Sequence, residues 1–321
     1  MDHRYRVVDV FTEHPLEGNA LAVFPDASGI DGALMPKIAR ELNLSETVFV
    51  LPPTDPACAA RLRIFTPAKE LIFAGHPTVG SAFVLLDEDR VPHGTERFSL
   101  QEGVGPVPIR VEQTGPRPLI WLRTPPIEFR NTFDPALCAR VLGLEPADLL
   151  PVAPQFVTAG NPAVFVALRD SAAVDRSWLD VSGLQAIRAS LTPAEADAFF
   201  VFVFTPTPQG AYSRMFAPEH GVVEDPATGS ATGPLAAYMI RNRLVSGAPG
   251  TRIISEQGTK MGRRSLLHGR HDVRRAGGRG VGVDQLLLEP AAPAGRGRLR
   301  RLPDGRQHAV APGAVDIADV D

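Results

Sequence analysis

The stretch VVEDPATGSATGPLAAYM (residues 222–239) sets two carboxylates, Glu224 and Asp225, before a proline, a run of tiny residues and an apolar helical body. A second stretch, FAGHPTVGSAFVLL (73–86), puts Gly75 and His76 at a similar opening. Tiny residues give little hydrophobic driving force, so these turns are not built for packing. A helix N-terminus leaves about four backbone N–H groups unpaired and carries roughly half a positive charge. It is therefore a ready anion site. Small residues at Gly75, Gly229 and Ser230 would let a carboxylate or phosphate approach the backbone. The ordinary reading is a pair of capping turns, with Thr228 and Ser230 as good N-caps. Finding acid-base residues beside both favours a ligand, and two facing mouths could hold a small acid.

Glu46, in LSETVF, is the third candidate. A carboxyl among Leu44, Val48 and Phe49 would have its pKa raised toward the range useful in proton transfer. Residue type alone favours an exposed glutamate at a strand start. His76 has a neutral form near pH 7 and could donate a hydrogen bond or a proton. Its ordinary role would be to cap its own helix. Asp225 could bind an amine, and it is equally an acid favoured by the helix dipole.

The elements that must position these residues read as follows. Strands are expected in YRVVDVF, ALAVF, ETVFVL, ARLRIFT, RFSL, VPIRVE and LIWLRT, and a helix over residues 29–42 from the spacing of Leu34, Ile38 and Leu42. The proline-rich TPPIEFRNTFDP reads as a domain junction. Beyond it, PALCARVLGL and VSGLQAIRASL are helical, and AVFVAL, ADAFFVFVFT, YSRMFAP and RIISEQG are strands. Each half thus has strands, a small-residue turn and a helix apolar nearly all round, which must be buried on most sides. The expected fold is α+β: two similar domains, residues 1–125 and 126–268, each a barrel-like sheet around a central helix, with the site in the cleft between them. Residues 269–321 read as a divergent Arg/Gly/Pro-rich tail.

Bulk composition excludes several classes. The 321 residues carry a formal net charge of -3, too small a field to argue for nucleic acid or an acidic membrane surface. No run approaches ~18 apolar residues, and no secretory apolar region precedes the first strand. Two cysteines, Cys58 and Cys138, make no disulfide framework and have no metal-ligand spacing, so a reducing cytoplasmic setting and no structural metal are expected.

The motifs VVEDPATGSATGPLA, FAGHPTVGSAF, LNLSETVFVL, PLEGNALAVF and RMFAPEHG, in order and with sensible spacing to about residue 268, resemble the PhzF phenazine-biosynthesis family, within the wider diaminopimelate epimerase-like group. The resemblance implies two similar domains, a homodimer and no cofactor. It also implies isomerisation of a small cyclic amino acid such as trans-2,3-dihydro-3-hydroxyanthranilate. Glu46 takes the place of the catalytic glutamate, which reverses the ordinary reading of that residue. Moving a proton between two carbons on one ring face needs one group to take it and return it. By the same resemblance, Ser45, Gly75, Gly229 and Ser230 become contacts for substrate carboxylate or hydroxyl, and Asn19 a ligand contact in its turn. Related racemases put cysteines at the two mouths; Cys58 and Cys138 lie away from both, which disfavours a two-thiol mechanism. Isomerisation of another small acid, or a non-catalytic binding protein on the same scaffold, are the competing readings, and intact Glu46, His76 and Asp225 argue against the last.

One departure is MGRRS at residues 261–265, where the family usually has MGRPS. Eleven arginines follow between Arg263 and Arg306. Divergence, or a shifted reading frame in GC-rich coding sequence, would produce such an abrupt change. Either predicts an irregular end after about residue 270 and an unpaired sheet edge. Asp272, Asp284, Glu289 and Asp304 interrupt the basic character and argue against an acidic partner.

Overall fold

The structure is a computed structural model. It describes residues 3–113, 118–123, 126–196, 199–248 and 250–271, with strands at 283–287, 295–301 and 307–310. In chain order the elements are β1 (His3–Val10), β2 (Asn19–Phe24), α1 (Met35–Leu42), β3 (Glu46–Leu51), β4 (Ala60–Phe65), β5 (Glu70–Leu71), α2 (Gly75–Asp87), β6 (Arg97–Glu102), β7 (Gly105–Gln113) and β8 (Pro118–Arg123). Then come β9 (Glu128–Thr132), α3 (Pro135–Val141), β10 (Gln155–Thr158), β11 (Pro162–Ala167), α4 (Ser171–Arg176), α5 (Leu184–Arg188), α6 (Pro193–Ala196), β12 (Phe200–Thr207) and β13 (Gly210–Ala217). The chain ends with β14 (Val222–Asp225), α7 (Gly229–Arg241), β15 (Arg252–Gln257), β16 (Ser265–His271), β17 (Val283–Leu287), β18 (Gly295–Arg301) and β19 (Gln307–Val310).

The chain divides into two compact units, Met1–Ile120 with Glu289–Asp321, and Trp121–Leu288. The expected boundary after residue 125 falls a few residues late, because β8 already carries the chain across. The proline-rich junction also contains a strand that sequence missed: β9 pairs with β10.

The same strand grammar is written twice. In the first unit β1–β2 is antiparallel, β2–β3 parallel, β3–β4 antiparallel, β4–β6 parallel and β6–β7 antiparallel. In the second, β10–β11, β11–β12, β12–β13, β13–β15 and β15–β16 repeat that alternation in order. Each unit inserts its apolar helix, α2 or α7, between the fourth and fifth strands of this series.

Burial explains the composition of both helices. Every residue of α2 from Gly75 to Leu86 is buried, and so is every residue of α7 from Gly229 to Met239. A helix covered all round has no polar face to show. Small residues let strands approach: a Cβ on Gly80 would sit 2.5 Å from Leu21 Cδ2 and 3.0 Å from Val10 Cγ2. In the second unit the sheet is covered on both faces. Phe200, Phe202 and Phe204 pack with α7, while Val201 and Val203 pack with α3, α4 and α5. This two-residue alternation is why FFVFVF is apolar without a break.

Three expectations need correction. The first is the helix expected from residue 29, which starts at Met35, with proline in its first turn; residues before it form turns although their apolar spacing continues the helical pattern. Second, β16 is not an open edge. It pairs antiparallel with β17, Leu267 opposite Leu287 and His271 opposite Val283. Third, the segment after 268 does not stand apart as a tail, since β18 pairs with β1 and β19 with β18. The irregularity expected for 272–282 lies outside the described residues.

Candidate active site

Each helix mouth is assembled in the same way within its own unit. A glycine with positive φ, Gly18 (66°) or Gly160 (103°), precedes an asparagine that opens the second strand (Asn19) or stands one residue before it (Asn161). At Gly18 a Cβ would lie 2.3 Å from Val10 O, so only glycine fits the turn. The asparagine then reaches the second residue of the central helix. Asn19 Nδ2 lies 3.3 Å from His76 Nδ1, and Asn161 Nδ2 donates to Ser230 Oγ at 3.2 Å. Asn19 is thus the first residue of β2, not part of the preceding turn, and its partner is His76.

In the first unit, β3 begins with Glu46, whose Oε2 lies 3.4 Å from His76 Nδ1; its side chain is 14% exposed. The solvent-facing reading of Glu46 is therefore set aside. His76 is buried, with the Phe11 ring edge-on at 6.4 Å. Burial pushes the imidazole pKa down to about 3, so near neutral pH the ring is uncharged and offers a hydrogen bond, not an imidazolium proton. It does not cap its helix. The amide nitrogen of Asn19 has only protons to offer, so Nδ1 accepts and the ring proton sits on Nε2. Among the described residues nothing hydrogen-bonds to Nε2. With the Nδ1 lone pair taken by Asn19, Glu46 Oε2 is a close neighbour of the ring without a hydrogen bond to it. Ser45, half-buried, immediately precedes Glu46.

In the second unit, β14 ends at Asp225, which is 5% exposed. Arg214 anchors that strand, donating to both Glu224 oxygens at 2.9 and 2.7 Å and to the carbonyls of Val174, Asp175 and Ser177. Thr228 occupies the N-cap position of α7 but does not cap it. Its hydroxyl donates instead to Asp225 Oδ2 at 2.6 Å. Gln257, at the end of β15 and fully buried, donates to Thr228 Oγ1 at 2.9 Å and to Asp225 O at 2.7 Å, and accepts from Thr228 N at 3.1 Å. Ala74, at the α2 N-cap, has no side chain able to cap. The expected capping turns are thus not made by side chains at either mouth.

Cys58 and Cys138 are both buried, and burial pushes the Cys138 thiol up to about 12, far from a reactive thiolate. Among the described residues no group of three His, Cys, Asp or Glu side chains could hold a metal ion, and no helix is long and apolar enough to cross a membrane. Sequence reading missed Glu102, Asn161 and Gln257. A repeated Gly-Asn before the second strand, and an acid or amide before glycine at the end of the fifth, were the available signals.

The comparisons with known proteins agree. Residues 8–283 match the family described as phenazine biosynthesis-like protein, PhzC-PhzF. The match runs past residue 268, where recognisable motifs stopped. The trans-2,3-dihydro-3-hydroxyanthranilate isomerase of Pseudomonas aeruginosa is 37% identical over 269 residues, 84% of this chain and 90% of that protein. An uncharacterized isomerase of Mesorhizobium japonicum is 38% identical over 276 residues, covering 82% and 88%. A PhzF-family protein of Bacillus anthracis, 21% identical, superposes with a TM-score of 0.79 over 93% of this chain and 99% of its own, which establishes the shared α+β fold.

Proposed function

The chain belongs to the phenazine biosynthesis-like PhzC-PhzF family and is an isomerase, and from that premise we propose that it shifts a proton within a small cyclic amino acid such as trans-2,3-dihydro-3-hydroxyanthranilate. Glu46 takes a proton from one ring carbon and returns it to another on the same face, so the reaction is balanced without a redox partner. The observation that carries this reading is the Glu46–His76–Asn19 cluster, in which His76 and Asn19 are buried and Glu46 is largely covered. The neutral ring beside Glu46, oriented by Asn19, lets the carboxyl take up and release the proton with no change of charge on the ring. His76 Nε2–H is the donor to a substrate oxygen. Asp225, held by Thr228, pairs with the substrate amine. The uncapped N–H groups of Gly75 and Gly229, with the hydroxyls of Ser45 and Ser230, take its carboxylate or hydroxyl.

Glu46→Gln tests this. Glutamine keeps the shape and cannot shuttle a proton, so turnover followed by ultraviolet absorbance should fall about 10²–10⁴-fold. Near-wild-type turnover would remove Glu46 from the mechanism. The Mesorhizobium relative is 38% identical against 37% for the Pseudomonas enzyme and has no substrate in its name, which favours as second reading the same chemistry on another small acid; a substrate panel separates the two. The homodimer and cytoplasmic location belong to the same proposal. Two buried, unbridged cysteines suit a reducing compartment, and light scattering measures the dimer.

A further inference from the structure

Glu102 ends β6, and Gln257 ends β15, its counterpart in the repeated strand order. Both reach a threonine at the mouth of the central helix, Thr228 at the N-cap of α7 and Thr78 within the first turn of α2, and the same proton arithmetic applies to each. In the second unit the direction is fixed. Gln257 Nε2 donates to Thr228 Oγ1, and the one hydroxyl proton of Thr228 goes to Asp225. In the first unit Thr78 Oγ1 lies 2.6 Å from Ala74 O and 2.5 Å from Glu102 Oε1. A hydroxyl has one proton, and a carbonyl oxygen can only accept. With that proton on Ala74 O, the contact with Glu102 needs a second proton, which the carboxyl must supply. With it on Glu102, two oxygens would face each other at 2.6 Å with no hydrogen between them, a repulsive contact.

We propose that Glu102 is held as a neutral carboxylic acid, the functional equivalent of Gln257, and is a positioning residue for His76. Its O–H donates to Thr78, the Thr78 O–H donates to Ala74, and the two bonds fix the first turn of α2 on which His76 sits. The proposal rests on the reading of His76 as a substrate contact. Surroundings agree with a neutral acid. Glu102 is 6% exposed, and burial pushes its pKa up to about 8, outweighing the hydrogen bonds that the Thr78 hydroxyl and the Ala74 backbone would offer the ionised form. Of the neighbouring elements, α2 contributes the neutral His76 with Glu46 beyond it, and β4 carries Arg61 level with Gln101. β5 carries Glu70, already bound to Arg63, and β7 sets Gly105 opposite Glu102. No charge on these elements offsets the burial. Ionisation would turn the Thr78 proton away from Ala74 and place a negative charge beneath an anion-binding mouth.

The test has two arms. Infrared spectra of the substrate-free protein at about pH 6 and about pH 10 should show a buried protonated-carboxyl band that is lost at the higher pH and missing in Glu102→Gln. No band sensitive to Glu102→Gln at the lower pH overturns the proposal. In turnover of dihydrohydroxyanthranilate, Glu102→Gln should keep kcat/KM within about threefold near neutral pH and lose the alkaline decline of the wild type. A tenfold or greater fall near neutral pH in folded Glu102→Gln, or an unmoved alkaline limb, also overturns it. Should the wild type not act on this substrate, the functional reading fails alone, because the infrared arm uses none.

Discussion

Replacing Glu102 by glutamine has a consequence for folding that can be worked from one number. The carboxyl titrates at its ordinary 4.5 when unfolded and at about 8 in the folded protein. Between those values the folded state keeps a proton that the unfolded state has released. Stability therefore falls as pH rises through the window, by about 1.4 kcal/mol per pH unit, and levels off above the folded value. Between pH 5 and 8 this amounts to about 4 kcal/mol, a large part of the ~5–15 kcal/mol typical of a domain. Glutamine makes the same bonds without titrating. His76 carries the opposite dependence: its folded pKa of about 3 lies below its ordinary 6.5, so stability is lost as pH falls through that interval. That term is common to both proteins and cancels in their difference. The measurement is urea unfolding of wild type and Glu102→Gln at matched pH by far-ultraviolet circular dichroism. Fluorescence is unsuitable because both tryptophans, Trp121 and Trp178, lie in the second unit. The free-energy difference should swing toward the variant as pH rises. A difference constant from about pH 5 to 8 would mean that Glu102 is ionised in the folded protein, and the reasoning fails.

Asp225→Ala should weaken binding of an amine-bearing substrate more than that of its deaminated analogue by calorimetry; equal weakening would leave Asp225 a structural acid. Gln257→Ala strips partners from Thr228 N–H, the Thr228 hydroxyl and Asp225 O, and should cost about 1–3 kcal/mol of stability with a raised KM. An unchanged urea midpoint would contradict the network. Gly80→Ala should lower stability by roughly 1–2 kcal/mol and with it the urea midpoint, since overpacking against Leu21 and Val10 outweighs the gain in helix propensity. A raised midpoint would mean that the strands give way at no cost.

Local pattern carried part of the fold: the two apolar helices announce their burial by having no polar face, and Glu46 and His76 stand in distinctive motifs that the structure brings within 3.4 Å. Sequence reading did not find Glu102 or Gln257, because an acid or amide before glycine at a strand end looks like any surface turn; only the folded structure shows that Glu102 contacts Thr78 and Gln257 contacts Thr228. Asn161 was hidden for a similar reason, since Gly-Asn is an ordinary turn pair. The four-residue strands β10 and β14 are too short to show alternation, and β9 lies in a proline-rich run. The false start of α1 came from Leu34, which continues the helical period from outside the helix. The paired strands β16 and β17 were missed because arginine and glycine dilute the apolar alternation that marks a strand.

Glutamate and glutamine codons differ by their first base alone. The residue types ending β6 and β15 can therefore interchange by a single point mutation, and glutamine is close in shape to the protonated acid. Two copies of an ancestral half could diverge at this single base without passing through a misfolded intermediate. One copy would then hold its helix with a hydrogen that solvent can remove, the other with a hydrogen it cannot. Selection for a particular working pH would have a single nucleotide to act on in each half, one hydrogen bond removed from the residues that handle the substrate.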